Sequence, residues 1–181
     1  AEPDTTLYFG TNAGNLHAVD AATGEEVFTF IPNDLLSLQA QLKTNAPGQH
    51  LYGLDGSPTV WTNYGDDLDL NDNGDFAYLY IGQRRGGRNY YALDVTDRSR
   101  PKLLWQINNG SSGFSDLGQT WAEPIPGLLQ INGQDRKVLF IAGGYDPNGD
   151  GETTRSADSQ GNALYVVDAV TGALIWSAGN D

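Results

Sequence analysis

Two acidic loops contain the residues best suited to chemistry, and the first spans residues 65–75 (GDDLDLNDNGD). Its oxygen-bearing side chains alternate at Asp67, Asp69, Asn71, Asn73 and Asp75. Alternating carboxylate and amide oxygens with a late glycine are typical of the first half of a loop that surrounds a hard cation such as calcium. Crowded carboxylates repel one another, so a cation or water must separate them in a compact loop. The pattern predicts a calcium site, and a solvated acidic hairpin is the alternative.

This first loop departs from the EF-hand pattern. With the motif aligned at Asp69, Asn71, Asn73 and Gly74, Tyr80 takes the twelfth position, where an EF-hand has a bidentate glutamate. A closing ligand must therefore come from elsewhere in the chain.

The second loop, residues 145–152 (YDPNGDGE), repeats the spacing at Asp146, Asn148, Asp150 and Glu152. It is a second candidate calcium site. Asn-Gly and Asp-Gly pairs also mark ordinary turns, so a turn without a metal is the alternative here.

Other residue combinations favour structural roles. His17 and His50 stand apart without a cysteine, and no serine lies in a G-x-S-x-G elbow, so no catalytic residue is assigned and the chain is not predicted to be an enzyme. Residues 82–91 (GQRRGGRNYY) lie at a strand-to-strand turn, where a phosphate cradle is not expected. We expect a solvated hairpin tip whose arginines balance nearby acids, with Tyr90 exposed.

Composition excludes several classes of protein. The 181 residues carry 23 acidic against 10 basic side chains, a formal charge of −13, which argues against a nucleic-acid partner. No run approaches the roughly 18 apolar residues of a membrane helix, so no membrane insertion is predicted. Cysteine and methionine are absent, which excludes disulfides and thiolate metal sites. Without an initiator methionine or a signal peptide, the sequence is expected to be a processed chain or a piece of a secreted precursor.

An internal repeat determines the predicted fold. Residues 7–30, 79–107 and 138–178 align, and their shared Asp20, Asp94 and Asp168 are 74 residues apart in each case. Each unit contains short alternating apolar runs, and proline-led runs at 57–62 and 123–130 precede the last two units. Such units are typical of propeller blades. We predict an all-β fold with blades of four antiparallel strands, about three of them, at approximately 7–30, 55–107 and 120–178 of one partial propeller domain (1–181).

Turns and insertions complete this prediction. DAATG (20–24) and DAVTG (168–172) are expected to be turns in which the aspartate accepts backbone amides and the glycine takes the left-handed conformation, whereas DVTDR (94–98) should form a longer turn. In the insertion after the first blade, Asn33 or Asp34 is expected to cap a short helix that buries Leu35, Leu38 and Leu42. Propellers close with four to eight blades, so the rest of the propeller is an expected partner.

The order of several short motifs resembles a known family. LHAVDAATGEEVFTFIPNDLL, LDGSPTV, GGRNYYALDVTD, DLGQTWAEP, AGGYDPN and ALYVVDAVTGALI follow one another across residues 7–175. This succession resembles the C-terminal propeller of the PilC/PilY family of type IV pilus assembly and tip adhesin proteins. The tryptophan-docking signature at Asp168, Thr171, Gly172 and Trp176 is also similar to that of quinoprotein propellers.

The resemblance implies a function and a location. Proteins of this family carry a modified seven-bladed propeller, lie at the pilus tip or outer membrane of Gram-negative bacteria, and support pilus extension, surface attachment and twitching motility. Calcium in a D-x-[DN]-x-[DN] loop is expected to oppose pilus retraction, and Asp69, Asn71, Asn73 and Asp75 match that loop most directly. Pilin subunits or minor pilins, a surface and a host receptor are the implied partners. The alternatives are a quinoprotein dehydrogenase with pyrroloquinoline quinone and a generic outer-membrane scaffold propeller.

Overall fold

The computed structural model describes residues 5–44, 46–48, 50–65, 70, 72–154 and 156–179. Within these ranges the chain forms eleven strands in three antiparallel sheets, together with one short α-helix. The predicted all-β architecture, with a short helix in the insertion after the first blade, is confirmed.

Each sheet is a meander in which strands that follow one another in sequence are hydrogen-bonded neighbours. Blade 1 contains β1 (Thr6–Gly10), β2 (Leu16–Asp20) and β3 (Glu26–Phe30). Blade 2 contains β4 (Thr59–Asn63), β5 (Phe76–Gly82), β6 (Tyr90–Asp94) and β7 (Lys102–Ile107). Blade 3 contains β8 (Ile125–Ile131), β9 (Gln134–Ala142), β10 (Leu164–Asp168) and β11 (Leu174–Ala178).

Blade 2 is buried on both faces because a blade packs against each side of it. Since successive side chains of a strand point to opposite faces, Tyr80 joins the core shared with blade 3, and Leu79 joins the core shared with blade 1. On β6, Tyr90 joins the core shared with blade 3 and Tyr91 joins the core shared with blade 1. The expectation that Tyr90 is exposed was wrong: its ring is fully buried and its hydroxyl donates to the carbonyl of Ala122 at 2.8 Å.

The glycine that ends β1 and β5 allows close contact with the segment that leads into the next blade. A Cβ at Gly10 would lie 2.2 Å from the carbonyl oxygen of Leu54, and one at Gly82 would lie 2.7 Å from that of Thr120. A larger residue cannot occupy either position without moving the backbone. The repeated glycine therefore has a packing role.

The aspartate turns form as predicted. One carboxylate oxygen of Asp20 accepts hydrogen bonds from the backbone N–H groups of Ala22 and Thr23 at 3.0 and 2.9 Å. Asp168 makes the equivalent bonds in blade 3. The turn of blade 2 is longer, as expected, because β6 ends at Asp94 and β7 begins only at Lys102.

The helix α1 (Leu36–Thr44) follows a single 3-10 turn at Asn33–Leu35. Leu35 and Leu38 are buried, whereas Leu42 is half-buried. The expected capping role of Asn33 or Asp34 was wrong, because Pro32 precedes the turn and no side chain caps it. Among the described residues no helix is long and apolar enough to span a membrane.

Candidate functional site

The first acidic loop lies between β4 and β5. Asp67, Asp69 and Asn71 fall outside the described residues, whereas Asn73 and Asp75 lie in the turn that leads into β5. One carboxylate oxygen of Asp75 accepts a hydrogen bond from the backbone N–H of Asp72 at 2.8 Å. Asp75 thus closes a turn at the end of the loop, and calcium binding by this loop stays a prediction.

Asp146 organises the second acidic loop. Its Oδ1 accepts from the backbone N–H of Asn148 at 3.0 Å, and its Oδ2 accepts from the backbone N–H and hydroxyl of Ser159 at 2.7 and 2.9 Å. The hydrogen bond from Asn148, followed by those from Ser159 and Gln160, lowers the pKa of Asp146 against the opposing effect of burial. A charged carboxylate at neutral pH therefore ties together the two ends of the insertion between β9 and β10.

The other candidate ligands of this loop bind separate protein groups. Asn148 donates to the hydroxyl of Ser159 at 3.2 Å, Asp150 accepts from the hydroxyl of Tyr145, and Glu152 accepts from the hydroxyl of Ser156 at 3.3 Å. In the part of the chain that is described, no three acidic or histidine side chains lie together as a metal cluster. The loop is a hydrogen-bonded turn in this conformation, so a cation would have to displace some of these bonds. Calcium binding here also stays a prediction.

A tryptophan links blades 2 and 3. The indole N–H of Trp105 on β7 donates to the carbonyl of Ala169 in the aspartate turn of blade 3, at 3.0 Å. A Cβ at Gly172 in the same turn would lie 2.8 Å from the Trp105 ring. The aromatic residue at the end of one blade therefore docks on the D-x-x-T-G turn of the next. Blade 1 contacts blade 2 at the equivalent turns through the ion pair between Arg98 and Asp20, at 3.0 Å.

A buried polar network holds the loop between β5 and β6, residues 83–89, which we call the arginine loop. Gln83 is fully buried and donates to the carboxylate of Asp34 at 2.6 Å, and the hydroxyl of Tyr91 donates to the same carboxylate at 2.5 Å. The hydroxyl oxygen of Thr120 accepts from the backbone N–H groups of Gln83 and Arg84 at 2.8 and 3.2 Å. Asp34 thus joins the inter-blade insertion to blade 2.

The arginines of this loop stack on aromatic rings. The guanidinium of Arg84 lies 4.9 Å from the centre of the Trp121 ring, and that of Arg85 lies 5.4 Å from it and 4.8 Å from the Tyr52 ring. Among the described residues neither arginine forms an ion pair with a carboxylate. Arg85 is exposed, as expected for a solvated hairpin tip. The acids near the two arginines line the same pockets without forming an ion pair with either of them. Sequence reasoning missed Trp121, Tyr52 and Thr120, which lie far from the arginines along the chain.

His17 has a structural role, as expected. Its Nδ1 lies 2.7 Å from a carboxylate oxygen of Glu26, and its ring stacks on Phe9 with 5.3 Å between ring centres. The adjacent acid and aromatic ring satisfy the imidazole, as predicted for a histidine within a strand.

The relatives found for this chain are type IV pilus biogenesis factors. No protein-family model matches the chain. The type IV pilus biogenesis factor PilY1 of Pseudomonas aeruginosa is 33% identical over 171 residues, which are 93% of this chain and 13% of that protein. A PilY1 homolog of Xylella fastidiosa is 36% identical over 166 residues, which are 92% of this chain and 12% of that protein. The chain thus spans only about an eighth of the length of these relatives.

Solved structures agree with the sequence matches. The crystal structure of the Pseudomonas aeruginosa PilY1 C-terminal domain matches with a TM-score of 0.65 and 30% identity, over 96% of this chain and 30% of that one. A quinohemoprotein alcohol dehydrogenase of Pseudomonas putida is 18% identical with a TM-score of 0.47, a likeness that supports no inference.

Proposed function

This chain belongs to the PilC/PilY family of type IV pilus proteins, and we propose that it is a calcium-binding β-propeller module of a pilus biogenesis and tip adhesin protein. The observation that carries the proposal is 33–36% identity to pilus biogenesis factors over more than nine-tenths of the chain. The relatives are type IV pilus biogenesis factors, which supports the expectation of a non-enzymatic protein.

Further blades would complete this module. Leu7 and Phe9 on β1 are 54% and 46% exposed, and Trp176 on β11 is 51% exposed although it occupies the position that Trp105 holds in blade 2. Apolar faces of this kind mark interaction surfaces, and a closed propeller covers each blade with the next. In the proposed protein the rest of the propeller packs on these outer faces of blades 1 and 3.

The protein would act outside the cell, at the pilus tip or the outer membrane, and support pilus extension, surface attachment and twitching motility. Its partners would be pilin subunits or minor pilins, together with a surface or a host receptor. Blades joined by docked aromatic residues form a stiff platform, which suits a protein that must bear load between a pilus and a surface.

Calcium would bind the loop of residues 65–75, through Asp67, Asp69, Asn71, Asn73 and Asp75, and Asp146, Asn148, Asp150 and Glu152 are the second candidate set. Their hard oxygens suit calcium, which would neutralise the carboxylates and allow the loop to become compact. The excess of acidic over basic side chains also favours a cation as the ligand.

Calcium titration after chelator treatment tests the metal proposal. We expect saturable heat and a melting temperature that rises with calcium, because an ion that binds only the folded state stabilises it, by about 2.7 kcal/mol at a hundred times Kd. The double variant Asp69→Ala/Asp75→Ala should lose this site, whereas Glu25→Ala/Asp135→Ala, which removes two exposed carboxylates elsewhere, should keep it. Unchanged stoichiometry in the first variant would contradict the assignment to residues 65–75.

Replacing the matching part of a relative by this chain tests the pilus function. The matching 171 residues of Pseudomonas aeruginosa PilY1 are replaced by this chain, and surface pili and twitching zones are measured against a deletion of the same region. We expect the exchange to restore both, and the same exchange carrying Trp105→Ala to restore much less. If the hybrid accumulates normally but performs no better than the deletion, the chain does not supply the function of that region.

A further inference from the structure

We propose that the cleft between the arginine loop and blade 3 binds an acidic saccharide, a sugar unit that carries one carboxylate, through Arg84 and Arg85. The cleft has a volume of about 920 Å³, within the range of roughly 300–1,000 Å³ typical of small-molecule sites. Its walls include Arg85, Trp121, Tyr145 and Asp150. A smaller polar pocket of about 170 Å³ adjoins it at Trp121 and contains Arg84 and Glu123.

The two guanidinium groups are positioned for a ligand. Arg84 and Arg85 lie against the Trp121 ring, and Arg85 also donates to the hydroxyl of Tyr52 at 2.8 Å. Neither pairs with a carboxylate among the described residues, although the chain has a net charge of −13. A planar guanidinium held by an aromatic ring keeps its donors in a fixed fork, which matches the two oxygens of a carboxylate.

The backbone that presents these arginines is rigid and strained. Arg84 has a φ of 50°, in the left-handed region that side chains other than glycine rarely adopt. Buried Gln83 and Thr120 hold the loop through hydrogen bonds, and a Cβ at Gly86 would lie 1.7 Å from the carbonyl oxygen of Gly53. Strain that the surroundings enforce is found at ligand-binding sites, where it presents a side chain in its binding geometry.

Other cleft residues favour a hydroxylated ligand over a polyanion. Asp150 lines the cleft and Glu123 lines the adjoining pocket, where two acids disfavour a ligand with several negative charges. Ionised carboxylates accept hydrogen bonds from hydroxyl groups, and the hydroxyl of Tyr145 uses only part of the capacity of Asp150. A sugar acid supplies hydroxyl donors for these acids, one carboxylate for the arginines, and a C–H face for the ring of Tyr145.

The cleft wall does not suit an extended peptide. Peptides commonly add a strand to an open sheet edge, through unpaired backbone groups. Here the backbones of Gln119 and Tyr145 bond to each other in both directions, at 2.8 and 2.9 Å, and Gly118 donates to Gly143 at 2.7 Å. The wall therefore offers side chains and ring faces to a compact ligand.

Calorimetric titration at physiological salt tests the proposal with three matched probes. Galacturonic acid is the acidic saccharide, galactose is its neutral counterpart, and acetyl-triglycine is a peptide with the same single carboxylate. We expect saturable binding of galacturonic acid and at least tenfold weaker binding of the other two. The cleft shares Asp150 with the second candidate calcium loop, but its arginines belong to neither loop and the pilus role does not depend on it. The saccharide proposal can therefore fail while the proposals of calcium binding at residues 65–75 and of the pilus role stand.

Substitutions test whether the arginines bind the ligand. Arg85→Gln should weaken galacturonic acid binding at least tenfold, and Arg85→Lys should weaken it severalfold because lysine lacks the planar fork. Arg100→Gln removes the same charge at an 83% exposed side chain in another turn and should change affinity less than twofold. Trp121→Phe should remove most of the ligand-dependent change in tryptophan fluorescence. The absence of saturable binding, equal binding of galactose or acetyl-triglycine, or an equal loss in Arg100→Gln would each overturn the proposal.

Discussion

Replacing Trp105 with alanine is expected to lower the free energy of unfolding by about 3–5 kcal/mol, the range typical of a buried tryptophan. The side chain is only 7% exposed and lies in the core shared by blades 2 and 3. The substitution leaves a cavity beside Tyr80, whose ring centre lies 6.0 Å from that of Trp105, and removes the hydrogen bond to the carbonyl of Ala169. Chemical denaturation monitored by circular dichroism measures the change.

The matched control for this substitution is Trp176→Ala. Trp176 holds the equivalent position in blade 3 but is half exposed, since none of the three described blades covers it. We expect a change of no more than about 0.5 kcal/mol, as for other surface substitutions. Equal losses for the two variants would contradict the proposal that the docking contact, and not the tryptophan itself, stabilises the chain.

Replacing Gly172 with alanine is expected to cost about 2–5 kcal/mol, from two separate causes. The φ of 72° places the residue in the left-handed region, which costs an alanine roughly 1–2 kcal/mol. The added Cβ would lie 2.8 Å from the ring of Trp105, and overpacking of this kind costs about 1–3 kcal/mol more. Thermal and chemical denaturation of the variant measure the sum.

Gly24→Ala separates the two causes. Gly24 occupies the same position of the aspartate turn in blade 1 with a φ of 75°, but no atom lies within 4 Å of the Cβ that alanine would add. This variant should show the backbone cost alone, about 1–2 kcal/mol. If Gly172→Ala proves no more destabilising than Gly24→Ala, the Trp105 ring moves aside freely and the docking contact is weak.

Much of the fold could be predicted from the sequence because its signals are local. Alternating apolar residues mark strands, and the spacing of Asp20, Asp94 and Asp168 identifies equivalent turns in three blades. In the turns of blades 1 and 3, the aspartate, threonine and glycine act within five residues of one another, so their hydrogen bonds follow from the motif. The order of the motifs also identified the family.

The predictions that were wrong concern residues whose partners lie far away along the chain. Asp34 was expected to act on its own helix, but its carboxylate binds Tyr91, 57 positions away. Tyr90 was expected to be exposed, because one alternating run does not reveal that blades cover both faces of its sheet. Arg84 and Arg85 were expected only to balance nearby acids, since no residue close to them in sequence indicates that they lie against the ring of Trp121.

The sequence by itself determined the strands, the aspartate turns, the repeat and the family, because each depends on residue spacing within a short segment or on the order of such segments. Only the tertiary structure decided that Trp105 docks on the next blade, that Gly172 must lack a side chain, and that Arg84 and Arg85 lie beside Trp121. These contacts join residues from different blades or from the segments between them. The packing of whole sheets brings such residues together, and no local pattern of residues encodes that packing.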